Sequence, residues 1–336
     1  MTDSYSRIFN FHGCVLEFRS GDRSLADWLA ADFSAFPAPP GARPEISITA
    51  VVLKEPPRDL PRALLRAGKW HILPAPPGRR LVWYPEGALC EYDYRARRGL
   101  VSSADRDLLK ELSYLLILSR AGEALDRRGL HRLHAGALGS GGRALLFCGA
   151  QGAGKTTLLM ELLKDGRYSL LSDDTPLISR DGTVHDFPAR IGLGEDSPHL
   201  GNFPPLRSFK RRHYPPKRLL DIGGSGLQVS PPLAPAFIFG LSRAGGPAFR
   251  RPAAGEAGWE LARSLVAGCG VPQMAEYFLR LSPSDIARKG LILASRVKTA
   301  RALMKKTAFV VFETGPDHAA NAAALENFLR SNSVPA

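Results

Sequence analysis

The stretch that most limits how this chain can fold runs from Arg143 to Gly166. Arg143 to Cys148 has the pattern of a buried strand, and it runs directly into Gly149-Ala150-Gln151-Gly152-Ala153-Gly154-Lys155-Thr156-Thr157. A helical pattern then covers Thr156 to Asp165, and Gly166 closes it. Gly-x-x-x-x-Gly-Lys-Thr between a strand and a helix is the Walker A pattern, and its chemistry follows from its residue types. The glycines allow successive backbone N–H groups to turn inward around a polyphosphate, and the positive end of the helix adds to the attraction. Lys155 bridges the outer phosphates, and the Thr156 hydroxyl is a ligand for Mg²⁺. All nine residues from Gly149 to Thr157 are therefore expected to line a nucleotide site, with ATP and Mg²⁺ as cofactors.

Two neighbouring features extend this site. One helix after the loop, a short strand at Tyr168 to Leu171 ends in Ser172-Asp173-Asp174. Carboxylates at the C-terminal edge of a strand stand where α/β sheets bind ligands, so one of the pair is suited to hold Mg²⁺ and the other to accept a proton. Before the loop, Leu133 to Leu138, a Gly139-Ser140-Gly141-Gly142 turn and Arg143 to Cys148 read as a β-hairpin. His134 opens it, within reach of the phosphates across the sheet. The short interval between the loop and the Asp pair, and the lack of an Asn-Lys-x-Asp element, argue against a GTPase or motor.

Residues 1 to about 103 read as an α+β segment. Strands are expected at Ile8 to Phe18, Glu45 to Leu53, Lys69 to Leu73, Arg80 to Tyr84 and Ala88 to Tyr94, with one helix at Leu25 to Phe36. A leucine-rich helix from Ala104 to Gly122 bridges to the second half. Beyond the Asp pair, strands at Ala236 to Leu241 and Thr307 to Glu313 alternate with helices near Ala257 to Ala267, Asp285 to Lys305 and Ala319 to Arg330. The expected organisation is a 1–103 domain for substrate recognition or support, a bridging segment 104–130, and a catalytic domain 131–336.

The chain carries 45 Lys and Arg against 32 Asp and Glu, a net charge of +13. Eleven lysines against 34 arginines, mostly interspersed with acids, do not form a nucleic-acid surface. One stretch is concentrated: Arg207, Lys210, Arg211, Arg212, Lys217 and Arg218. It is expected near the mouth of the site, where it would draw in an acidic acceptor. The four cysteines have no metal-ligand or disulfide spacing, no apolar run would span a bilayer, and Met1 to Ser4 do not open a secretion signal. A cytoplasmic protein without a membrane partner is expected; homo-oligomerisation is left open.

From Leu133 to Ile178, Leu-His-Ala-Gly, a hairpin, Gly-Ala-Gln-Gly-Ala-Gly-Lys-Thr, one helix and Leu-Leu-Ser-Asp-Asp occur in an order and spacing that resemble the HPr kinase/phosphorylase family. The resemblance is closer to the HPr-kinase-like peptide and protein serine kinases of peptide-modification gene clusters. It implies an α/β phosphate-loop kinase domain of the HPr kinase/phosphoenolpyruvate-carboxykinase type behind a smaller α+β N-terminal domain. It also implies that Lys155 and Thr156 carry the phosphate and Mg²⁺ roles, that Asp173 is the general base, that Asp174 ligates or supports the metal, and that His134 lies near the γ-phosphate. Arg190, in Phe187-Pro188-Ala189-Arg190-Ile191-Gly192, resembles the arginine of the family's signature segment, with Ala189 where HPr kinases carry an acid. The activity implied is ATP-dependent phosphorylation of a hydroxyl, serine first, on a peptide or small protein. The alternatives are a small-molecule alcohol kinase and a nucleotide-dependent regulatory module.

Overall fold

A computed structural model describes residues 4–203, 206–278, 280 and 282–332 of the chain. Met1 to Asp3, on which the reading of the N-terminus drew, and 333–336, the end of the catalytic domain as drawn from sequence, lie outside the described residues. The chain is mixed α/β, with seven α-helices among the described residues. It divides into two compact units: 1–125 with 208–217 and 272–286, and 126–207 with 218–271 and 287–336.

The first unit is built on one eight-stranded sheet. Its strands are β1 (Tyr5–Phe11), β2 (Cys14–Ser20), β3 (Ile46–Val52), β4 (Leu65–Ala67), β5 (Trp70–Leu73), β6 (Arg79–Tyr84), β7 (Ala88–Asp93) and β8 (Arg98–Ser103), in the spatial order β1-β2-β3-β8-β7-β6-β5-β4. The pairs β2/β3 and β3/β8 are parallel, and the others are antiparallel. Alternate residues Ile46, Ile48 and Ala50 of β3 are buried, as a one-sided sheet requires. Helix α1 (Arg23–Asp32) starts at Asp22, whose side chain accepts from the N–H groups of Ser24 and Leu25. Helix α2 (Arg106–Arg128) follows β8.

One expectation fails here. Ile8 to Phe18 is not a single strand but a hairpin, because the chain reverses at His12 and Gly13, both at positive φ (47° and 86°). Histidine is among the non-glycine residues that tolerate the left-handed region, so His12-Gly13 makes the reversal between two apolar runs.

In the second unit the chain forms β9 (Leu130–Arg132), β10 (Ala135–Ser140), β11 (Arg143–Cys148), α3 (Lys155–Leu163), β12 (Ser169–Ser172), β13 (Leu177–Ser179), β14 (Val184–His185) and β15 (Arg190–Leu193). It continues through β16 (Arg207–Phe209), β17 (Lys217–Asp221), β18 (Ala234–Arg243), β19 (Ala248–Arg250) and α4 (Glu256–Leu261). Helix α5 (Ala275–Phe278) belongs to the first unit, and α6 (Pro283–Lys306), β20 (Ala308–Thr314) and α7 (His318–Ser331) end the chain's structure. The central sheet has the order β12-β10-β11-β18-β20-β19, with β11, β18 and β20 parallel. The β10/β11 turn is tighter than expected: Gly139 and Ser140 stay in the strand, and Gly141 and Gly142 alone make the reversal at positive φ.

Both faces of this sheet are covered. On one, Ala135, Ala137, Leu146, Cys148 and Ile238 pack with Leu261, Leu265, Ala300 and Leu303. On the other, Phe147 stacks on Phe239, and Phe328 of α7 meets Phe239 edge-on. Helix α3 lies on this second face, close enough that a Cβ on Gly136 would fall 2.8 Å from Leu159. The edge between the two layers, where β11 ends and α3 begins, is where the loop emerges.

Candidate functional site

The loop is shaped by its own glycines. Gly149 leaves β11 at φ 154°, and Gly154 caps α3 in the left-handed region at φ 90°. A Cβ on Gly149 would stand 3.1 Å from the Leu241 carbonyl and from Ala153, so the turn folds tightly over the end of β18. Helix α3 begins at Lys155, one residue before the expected start, which puts Lys155, Thr156 and Thr157 in its first turn. This is the end of a helix that attracts anions.

Lys155 is buried, and its Nζ donates to the carbonyls of Gly149 (2.8 Å) and Ala150 (3.2 Å). Burial holds its pKa below the ordinary lysine range, while the negative fields of Asp174 and Asp173 oppose that shift. A buried cation bonded to carbonyl dipoles rather than to a carboxylate has unspent charge to offer an anion.

His134 stands next to it, with Nε2 3.4 Å from Nζ. On the other side of the ring, Nδ1 lies 3.2 Å from Oδ1 of Asp174, within ion-pair reach but outside hydrogen-bond angles. The Asp pair is held in place through its backbone. Ala135 N–H donates to the Asp174 carbonyl (3.1 Å) and Leu133 N–H to Pro176 (3.0 Å), which ties the turn after β12 to the start of β10. Ser172 clamps the same turn, since its hydroxyl accepts from Thr175 N–H (3.0 Å) and donates to the Phe187 carbonyl (3.0 Å). The structure thus brings together the loop, Lys155, His134 and the Asp173–Asp174 turn. Arg190 opens β15, paired across the ladder with Asp221 of β17, and β15 packs against α3.

Sequence reasoning missed the wall behind His134. After α4 the chain makes one π-helical turn, Ala262–Val266, in which Ala267 N–H reaches back to the Ala262 carbonyl. Such turns recur at functional sites. Here it presents the Ser264 carbonyl to the backbone N–H of His134 (3.2 Å). Gly270, at φ 89°, then lies against the imidazole. Neither residue carries a local signal, because the sequence shows only a helical pattern followed by glycines. Arg243, at the end of β18, also went unnoticed; its Nε donates to the Gly152 carbonyl (2.9 Å).

Several cations of the basic stretch are engaged locally. Arg207 forks onto Asp221 through Nε (2.9 and 3.0 Å). Arg212 lies over the Tyr84 ring (4.8 Å) and 3.6 Å from Glu86, and its backbone N–H donates to Glu111. Arg211 bonds to the Pro215 carbonyl. Residues 208–217 count with the first unit and the loop with the second.

The residues present fit a polyphosphate: a glycine turn under a helix end, and a buried lysine that donates to two loop carbonyls and has no carboxylate in hydrogen-bond contact among the described residues. Thr156, Asp173 and Asp174 carry oxygens of the kind that ligates Mg²⁺. Among the described residues no group of three or more His, Cys, Asp and Glu could hold a metal. A cation at this site would therefore draw its remaining ligands from phosphate and water. Among the same residues no helix is long and apolar enough to cross a membrane. No protein-family model and no curated protein matches this chain.

Proposed function

We propose that this chain is an ATP- and Mg²⁺-dependent phosphotransferase that moves the γ-phosphoryl group to a hydroxyl, serine first, of a peptide or small protein. The observation that carries this reading is the convergence of the Gly149–Thr156 turn, buried Lys155, His134 and Asp174 at one edge of one sheet. The likeness of Leu133 to Ile178 to HPr-kinase-like serine kinases points the same way. The cytoplasm, where ATP is made, is the expected location.

In this mechanism the loop N–H groups and the N-terminus of α3 hold the inner phosphates. Lys155 supplies charge where the transferring group becomes more negative. Asp173 accepts the proton of the attacking hydroxyl, and Thr156 and Asp174 would hold Mg²⁺, which would supply neutralisation of phosphate charge. His134, between Lys155 and Asp174, orients the carboxylate and keeps water from the lysine. Phosphoryl transfer needs little else from a protein, since positioning and field do most of the work.

The test is incubation with γ-labelled ATP and Mg²⁺ against serine-containing peptides of differing charge and against small alcohols, with products read by mass spectrometry. Label on a peptide serine that disappears with Lys155→Ala supports the proposal. Label confined to a small alcohol would make the protein a metabolite kinase. Tight nucleotide binding without transfer to either class would make it a regulatory module.

A further inference from the structure

Strands β11 and β18 are parallel neighbours and finish on the same edge of the sheet. Cys148, the last residue of β11, is paired with Gly240, so β18 runs on beside the loop for Leu241, Ser242 and Arg243. Arg243 is exposed, and its Nε donates to the carbonyl of Gly152 in the middle of the loop (2.9 Å). Among the described residues that is the guanidinium's one hydrogen bond, and no carboxylate pairs with it. Other arginines of this unit are spent on acids, among them Arg207 on Asp221, Arg250 on Glu256, Arg263 on Glu260 and Arg296 on Asp126. A guanidinium carries five N–H donors, so four of those on Arg243 are uncommitted beside the loop.

We infer that Arg243 is a catalytic residue that contacts the terminal phosphoryl group of a nucleoside triphosphate held by Gly149–Thr156. This rests on the reading of that loop as a polyphosphate site. Loop N–H groups and the α3 terminus suit the inner phosphates, which leaves the outermost group to side-chain cations. Lys155 is a point charge among carbonyls, His134 and Asp174. Arg243 adds a planar fork that offers parallel donors to two oxygens at once. As transfer proceeds, the acceptor oxygen bonds to the γ-phosphorus. The bond to the bridging oxygen breaks with its electron pair leaving on the diphosphate, and the hydroxyl proton passes to Asp173. Arg243 bonds only to non-bridging oxygens and neither gains nor loses a proton. The Gly152 carbonyl fixes where the fork stands.

The experiment compares wild-type protein with Arg243→Ala and Arg243→Gln, titrated with fluorescent mant-ATP and mant-ADP in the presence of Mg²⁺. Contact with the terminal group predicts that both variants lose about 10-fold or more in mant-ATP affinity while mant-ADP stays within about 2-fold, with transfer slowed on the order of 10²-fold. Arg243→Gln keeps a donor for Gly152 but not the charge, so it separates phosphate contact from bracing of the loop. Equal weakening for both nucleotides, restored by Arg243→Gln, would make Arg243 a loop brace and overturn the inference. Unchanged affinities and rate in both variants would overturn it as well. Wild-type protein that binds neither nucleotide would remove the loop reading itself.

Discussion

Gly270 lies against the ring of His134 so closely that a Cβ built on it would fall 2.6 to 2.8 Å from three imidazole atoms. Its φ of 89° also disfavours any side chain. Gly270→Ala is therefore expected to push His134 away from Lys155 and Asp174. Transfer should drop on the order of 10-fold or more with nucleotide affinity nearly kept, and the loss should not add to that of His134→Ala. Initial rates for the two single variants and the double variant measure this; additive losses would show that Gly270 does not act through the histidine.

Lys155→Ala should abolish transfer, by on the order of 10³-fold, in a protein that still melts cooperatively. The lowered pKa gives a second signature. An anion bound at Lys155 favours its charged form, so polyphosphate binding should take up protons on the acid side of the ordinary lysine value of about 10.4. Calorimetry of nucleotide binding in two buffers of different ionisation enthalpy reads that uptake. It should vanish in Lys155→Ala, and proton release in the wild type would contradict the assignment.

The two carboxylates should separate. Asp173→Asn is expected to retain Mg²⁺-dependent nucleotide affinity and lose turnover, whereas Asp174→Asn should weaken the metal dependence. Both changes remove a negative field that holds Lys155 protonated, so each should also shift the alkaline limb of nucleotide binding to lower pH. Titrations of rate against Mg²⁺ and pH distinguish the roles, and the reverse pattern would exchange them.

Stability should depend on a buried group away from the loop. Asp126 is buried and takes both prongs of the Arg296 fork (3.1 and 2.7 Å) and Nδ1 of His131 (2.8 Å), whose Nε2 meets the Ser295 hydroxyl (2.8 Å). Burial works against its charge, but the His131 bond and the Arg296 guanidinium outweigh it and hold its pKa below the usual carboxylate range. The folded value thus lies under the unfolded value of about 3.9, so the contribution is complete above that pH and is lost as pH falls through the folded value. Asp126→Asn should cost about 3–5 kcal/mol at neutral pH and flatten the acid limb of stability. Urea unfolding of both proteins from neutral pH down to about 3 tests the sign.

Much of the site was legible because its chemistry is local. Gly149, Gly152, Gly154, Lys155 and Thr156 specify a turn and a helix start by their own backbone preferences and side chains, whatever packs around them. The same holds for an apolar strand that ends in Asp173-Asp174, and for the strands and helices whose apolar periods match a buried face. The alternating apolar pattern on both sides masked the His12-Gly13 reversal, and the helical pattern masked the π-helical turn at Ala262–Val266. Each depends on tolerating a backbone conformation that local preference disfavours.

By itself the sequence determined that a strand, a glycine turn with Lys155, a helix and two aspartates follow one another, because those features repeat or cap within a few residues. Only the tertiary structure decided that His134 stands between Lys155 and Asp174 with Gly270 behind it, that Arg243 reaches Gly152, and that Arg207 and Arg212 are engaged by Asp221 and Glu86. The reason is physical. A hydrogen bond, ion pair or close contact between segments far apart in the chain has no period and no local preference to announce it, and it exists only once the sheet has brought those segments together.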